Sequence, residues 1–337
     1  MIRICFLSII LLLSACGESE VDSDMTDDCQ DESYFSAEEN RKFMMGFTTW
    51  PFGPDIEDLS ETYDFIKPYA DIYGEQIDRY IPWKAMMSGD DIPKAMLDNL
   101  KYRYGQARIN MDLSLSVSLL NLDRSDLLAD IDGSVPFYRS LADDHIVDAY
   151  ERYLSIVIEA FKPKYVVTAM EVNELYMHDQ EKWDEYKIMA SALRKRLKVK
   201  YPSTLFSESI TLHNLYNSTE SEAESYIEDI FNYVNDLDFI SVNYYPFLQG
   251  LKNSSNIEEA FDFLREQVDL PIAFVETNQI ADRLVLGNFN IDFDAEECVQ
   301  NEYLELLFSQ AQLHSFYSSY GGRIEITMSC GRYFLMR

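Results

Sequence analysis

Two glutamates stand at the ends of apolar runs far apart in the chain. Glu174 closes the run Glu-Val-Asn-Glu at 171–174, and Glu276 lies within Phe-Val-Glu-Thr-Asn at 274–278. An unpaired carboxylate at the end of an otherwise apolar strand is costly to bury, so Glu276 reads as a functional group. Two carboxyls together suit acid/base chemistry on a glycosidic bond. One protonates the departing oxygen, and the other attacks or stabilises the oxocarbenium-like carbon, with about 5–5.5 Å between them in the retaining geometry. Nearby negative charge and an apolar wall raise the acid's pKa and let it hold a proton near neutrality. Glu174 is the first choice for the acid. Strand alternation puts Glu171 and Asn173 on one face and Glu174 on the other unless the strand bulges at its tip. Glu171 is therefore the second choice, or the buried partner of a core arginine.

The elements that must position these groups alternate regularly. Strands are expected at 43–49, 70–76, 111–120, 165–172, 205–210, 239–243, 272–275 and 323–328. The clearest is Met-Asp-Leu-Ser-Leu-Ser-Val-Ser-Leu-Leu, which alternates with period two. Helices are expected at 56–69, 92–104, 143–161, 180–200, 218–234, 257–267 and 296–320, with Asp143 or Asp144 as an N-cap and Pro163 as a stop. Strands that alternate with helices, with no return hairpins, predict an α/β fold closed as a (β/α)8 TIM barrel. An open doubly wound sheet is the alternative. In a barrel, functional groups gather at the C-terminal strand ends. Those ends carry Trp50, then Arg79 and Trp83, then Asn121, Asp123 and Arg124, then Asn173 and Glu174, then His213, then Asn243, Tyr244 and Tyr245, then Glu276. Aromatic faces stack on sugar rings, and Asn, Arg, His and Tyr satisfy hydroxyls. Trp50 and Trp83 read equally as loop-packing residues, and His213 equally as a structural histidine.

Other chemistries lack their residues. No GxGxxG or GxxxxGK[ST] follows a strand, no HExxH holds zinc, and no Gly-x-Ser-x-Gly elbow presents a serine. No metal or cofactor is expected. A formal net charge of −31 repels phosphate backbones and argues against nucleic acid.

Asn173-Glu174 after the fourth strand and Glu276 at the end of the seventh resemble the clan A retaining glycoside hydrolases. In that clan an Asn-Glu pair carries the acid/base and a strand-seven glutamate is the nucleophile. Phe-Val-Glu-Thr-Asn at 274–278 looks like the nucleophile strand of the endo-β-1,4-galactanase group, where Glu-Thr-Gly is usual. Phe47 to Pro51 and Ile81-Pro82-Trp83 look like the first two loops of galactanase-like bacterial lipoproteins. The resemblance implies Glu174 as acid/base, Glu276 as nucleophile, Asn173 on the hydroxyl beside the anomeric carbon, and Tyr244 or Tyr245 orienting the nucleophile. It implies a carbohydrate substrate and a hydrolase needing no cofactor. Two positions depart from it: Asn278 replaces glycine, and no tryptophan follows Trp183, although the clan usually carries one on strand eight. An atypical or incomplete eighth strand is one expectation from this. A catalytically impaired carbohydrate-binding lipoprotein on the same barrel is the alternative function.

The N-terminal residues address the chain. Arg3 precedes an apolar run from Ile4 to Leu13, too short for a permanent membrane span, and Leu-Ser-Ala-Cys at 13–16 resembles a lipobox. Residues 1–15 are expected to be a lipoprotein signal peptide, with Cys16 lipidated and, given Gly17, an outer-membrane destination. Residues 16–40, acidic and almost without apolar side chains, are expected to be a disordered tether. Residues 41–337 then form one barrel domain, expected to be monomeric. Cys29, Cys298 and Cys330 make no disulfide framework, although Cys29 and Cys298 could pair.

Overall fold

A computed structural model describes residues 41–51, 55–106, 111–286, 291–313 and 325–328. The signal, lipidation and tether assignments, including Cys16, lie outside the described residues. Strands β1 (Met44–Thr48), β2 (Ile72–Ile77), β3 (Asp112–Val117), β4 (Tyr165–Val167), β5 (Leu205–Ser207), β6 (Ser209–Thr211), β7 (Ile240–Tyr244) and β8 (Ile272–Thr277) follow one another with helices between most of them. A small antiparallel hairpin, β9 (Leu284–Leu286) and β10 (Ile291–Phe293), follows β8, and β11 (Glu325–Met328) is the last strand described.

The large sheet runs β5-β4-β3-β2-β1-β11-β8-β7-β6, and its neighbours pair in parallel. Its two ends, β5 and β6, are halves of one stretch separated by Glu208 alone. That connection brings the sheet round on itself as a (β/α)8 TIM barrel. The expected eighth strand is present, in parallel register with both β1 and β8.

Alternation along the strands sorts side chains into two layers. Leu113, Leu115, Val117, Tyr73 and Phe274 join the core that packs the sheet against its helices. Met44, Ile72, Tyr165, Val167, Met170, Ala273 and Val275 form a second cluster that fills the barrel. Gly46 on β1 has no room for a side chain, since a Cβ would meet the Ile72 carbonyl oxygen at 2.2 Å.

The helices end where their local chemistry directs. The helix Asp144–Phe161 stops at Lys162 in the left-handed region (φ 51°), just before Pro163. Asp179 caps the helix Gln180–Lys200 by accepting from the backbone N–H groups of Glu181 and Lys182. Two buried carboxylates tie helices to strands. Glu75 on β2 accepts from Thr49, Tyr63 and Arg103. Glu208 accepts from Arg194 on the helix Gln180–Lys200 and from Tyr233 on the helix Ala223–Val234.

Candidate active site

Asn243, at the C-terminal end of β7, sits at the centre of the strand-end cluster. In register it lies opposite Thr211 on β6 and Glu276 on β8. The pairing jumps from Val242↔Phe274 to Asn243↔Glu276, passing over Val275. This bulge re-aims Glu276, so that it joins Asn243 and does not continue the outward face of Phe274.

The Asn243 Nδ2 donates to Glu276 Oε2 at 3.0 Å and to Glu171 Oε1 at 3.0 Å. Sharing one nitrogen limits those two oxygens to twice 3.0 Å, or 6.0 Å. Amide hydrogens splayed by about 120° bring the separation to roughly 5.2 Å, inside the range retaining glycosidases use. Tyr245 OH donates a second bond to Glu276 Oε2 at 2.9 Å. Burial pushes the Glu276 carboxyl up to about 8, helped by the charge of Glu171 and opposed by the Tyr245 bond and by Arg124.

Glu171 reaches this position through an unusual backbone. β4 ends at Val167, and Glu171 takes a left-handed conformation (φ 57°), its N–H held by Ser209 Oγ at 2.9 Å. Arg124 lies opposite, also left-handed (φ 56°). Its Nε and Nη2 both donate to Glu171 Oε2, and its Nη1 donates to the Asn121 carbonyl at 2.8 Å. Asn121 builds the loop that presents Arg124, its side-chain oxygen accepting from the N–H groups of Ser125 and Asp126. Its amide is engaged there and makes no bond to the glutamates.

Glu174 lies in the short helix Asn173–His178 and turns toward β6, accepting from Asn214 Nδ2 at 3.1 Å. Burial and then the Glu171 charge push its carboxyl up to about 7, while Arg124 pulls the other way. Asn173 is fully buried. Its amide donates to Thr211 and to Tyr226 OH and accepts from the Thr211 N–H, so it braces β6 and the helix Ala223–Val234.

The remaining candidates divide cleanly. Trp50 is 36% exposed and anchored by its Nε1 to Gln76 at 2.7 Å, so its ring lies at the strand-end face. Trp83 is 1% exposed, donates to the Leu128 carbonyl and packs on Tyr150, which makes it core and corrects the platform reading. Pro82 beside Trp83 suggests a loop, but Trp83 opens the short helix Trp83–Ser88, which buries Trp83 and Met86. Tyr244 is likewise buried against Phe261 and Tyr303, so Tyr245 alone of the pair reaches Glu276. Arg79 is exposed, and its charge acts on Asp78. No Arg79 bond to a glutamate occurs among the described residues. His213 stands beside Tyr245 with ring centres 6.3 Å apart, and burial pushes it down to about 4, the neutral form at physiological pH.

Sequence reasoning places Arg124 and Asn243 at the strand ends where such groups collect, but gives neither a role. The arrangement they create has three carboxyls around one buried cation, with two of the carboxyls joined across a single amide. One protonated and one ionised carboxyl so joined can act from two sides of one reacting carbon.

Neither a family model nor a curated protein matches the chain. Solved structures do match. A GH5_18 protein from Bifidobacterium longum subsp. longum in complex with Manβ1-4GlcNAc superposes with a TM-score of 0.59 at 12% identity, covering 86% of this chain and 69% of its own. The GH53 catalytic domain of Ignisphaera aggregans gives 0.54 at 12% identity, covering 86% of both chains. A β-glucosidase, 1317, gives 0.52 at 11% identity, covering 80% of this chain and 77% of its own. At such identities the likeness establishes the fold, a barrel of the kind glycoside hydrolases use.

Proposed function

We propose that the protein is a retaining glycoside hydrolase acting on a β-linked oligo- or polysaccharide, with Glu276 as nucleophile and Glu171 as acid/base. The single amide of Asn243 joining both carboxyls at the retaining spacing carries this reading. The proton that burial leaves on Glu276 passes to Glu171, which transfers it to the glycosidic oxygen as the C1–O bond breaks and a C1–Oε bond to the ionised Glu276 forms. Water then attacks C1, gives a proton to Glu171, and releases Glu276. Tyr245 and Asn243 hold the nucleophile, and Trp50 offers an exposed ring to the sugar face.

Release of reducing sugar from β-1,4-galactan, β-mannan and aryl β-glycosides tests the proposal, with galactan first because of the motif resemblance. Glu276→Ala and Glu171→Gln each lose about 10²–10⁴-fold in kcat, and the first-formed product keeps the β configuration by NMR. Hydrolysis at the wild-type rate by either variant sinks the assignment. Glu174 as the acid is the second reading, favoured by a carboxyl raised to about 7. In that case Glu174→Gln, and not Glu171→Gln, spares only substrates with good leaving groups. If no variant changes a slow or absent turnover while oligosaccharide still binds by calorimetry, the barrel serves as a carbohydrate-binding protein.

The exported, lipid-anchored location belongs to the same proposal. Its support is the signal and lipobox pattern ending at Cys16, together with a disulfide at Cys298, a bond that persists in oxidising compartments. Labelling with radioactive palmitate, lost in Cys16→Ser, is the check.

A further inference from the structure

A proton donor must present an oxygen to the departing group, yet in this structure both oxygens of Glu171 are engaged. Oε1 accepts from Asn243, and Oε2 accepts from the Nε and Nη2 of Arg124. The Asn243 bond fixes the spacing to Glu276, so it cannot be surrendered without losing the pair. The Arg124 contact comes from a loop, 121–126, that Asn121 shapes with its own side chain. Arg124 and Glu171 are also two of the four non-glycine residues with positive φ among those described, and they face each other. Paired left-handed residues in contact at a site record a geometry that the surroundings impose.

We propose that Arg124 is a positioning residue for the proton donor: it latches the Glu171 carboxylate beside Asn243 before substrate enters, and gives up Oε2 when substrate binds, so that Glu171 takes the proton held by Glu276 and presents it to the glycosidic oxygen. The inference rests on the reading of Glu171 as acid/base. The side chain left after release stays oriented by Asn243, while the guanidinium keeps its bond to the Asn121 carbonyl. Charges around the pair come from every side: Asp78 beyond β2, Glu174 on the short helix, Glu276 on β8, and His213 after β6. Arg124 is the buried cation among them, 13% exposed in its side chain.

The test exploits leaving groups. A 2,4-dinitrophenolate departs without a proton, whereas a methyl or sugar leaving group needs one. For whichever of glucose, galactose or mannose the wild type accepts, kcat/KM is measured with the dinitrophenyl and the methyl β-glycoside. Arg124→Gln is expected to lose about 100-fold on the methyl glycoside and less than about fivefold on the dinitrophenyl one. Arg124→Lys, which keeps the charge without the fork, falls between, with the same selectivity. The ratio of the two substrates is independent of how much variant folds. Equal losses on both substrates, or no loss on either, overturn the latch. If Glu171→Gln itself shows no such selectivity, the acid/base reading falls and the latch falls with it. If Glu171→Gln is selective and Arg124→Gln is not, the latch alone fails.

Discussion

At Glu276 the Tyr245 hydroxyl and the Arg124 charge oppose burial and a neighbouring anion for control of one proton. The Tyr245 bond lowers the Glu276 pKa from where burial would set it. Tyr245→Phe therefore raises that pKa further, and because Glu276 as the proposed nucleophile must be ionised, the acidic limb of the kcat/KM profile moves to higher pH. A loss of about 10-fold or more in kcat at pH 6 accompanies the shift. An unmoved acidic limb would show that the phenol does not govern the nucleophile. The same raised pKa has a cost in stability. Between the ordinary carboxyl value of 4.5 and about 8 the folded protein holds a proton that the unfolded chain releases, so stability falls as pH rises through that window. Glu276→Gln removes the cost. Its melting temperature relative to wild type should rise from pH 5 to pH 8, at about 2–4 °C for each kcal/mol relieved.

Elements hold these residues in place through a few buried contacts. Glu75 receives Thr49 from the end of β1, Tyr63 from the helix Ile56–Tyr69, and Arg103 from the helix Lys94–Gly105. Burial raises its carboxyl against the pull of Arg103. Glu75→Ala leaves Arg103 largely buried without its partner and is expected to cost about 3–5 kcal/mol in urea unfolding. A cost below about 1 kcal/mol would mean that the network contributes little. The element pattern was open to sequence reading wherever period and caps agreed. The alternating leucines and serines of 112–117 and the bounds 56–69 and 180–200 match the structure. Three features escaped. The hairpin β9–β10 has strands of three residues, too short to show a period, although Gly287-Asn288 lies between them in the sequence. Trp83 sits beside a proline and looked like a loop residue. The Asn173-Glu174 dipeptide puts Glu174 ahead of Glu171 in the sequence, but the strand stops at Val167 and a left-handed residue directs Glu171 to Glu276's neighbour Asn243. A φ value set by tertiary bonds to Ser209 and Arg124 leaves no local signal.

Across the whole molecule, one disulfide and one charge imbalance bear on the proposed life at the cell envelope. Cys298 is disulfide-bonded. Reduction with dithiothreitol is expected to lower stability by about 2–4 kcal/mol, read as a fall in melting temperature that Cys298→Ser reproduces. Equal melting points with and without reductant would show the bond to be dispensable. The second feature is the acidic balance of 59 Asp and Glu against 28 Lys and Arg, which would leave the proposed lipid at Cys16 as the means of staying at an anionic surface.

The ring of strands is continuous except at Glu208, where β5 gives way to β6. A carboxylate fully enclosed at that break is met by Arg194 and Tyr233 from two different helices, and each half of the stave ladders to a neighbour over three residues, β5 to β4 and β6 to β7. A cylinder with one such weak stave has a preferred place to open. Amide hydrogens of 205–211 should therefore exchange with solvent earlier than those of β2 and β3. The opening would carry Thr211 and the neighbouring Asn243 with it. Thermal loss of the catalytic geometry would then precede global unfolding, beginning on the far side of the barrel from β1 and β2.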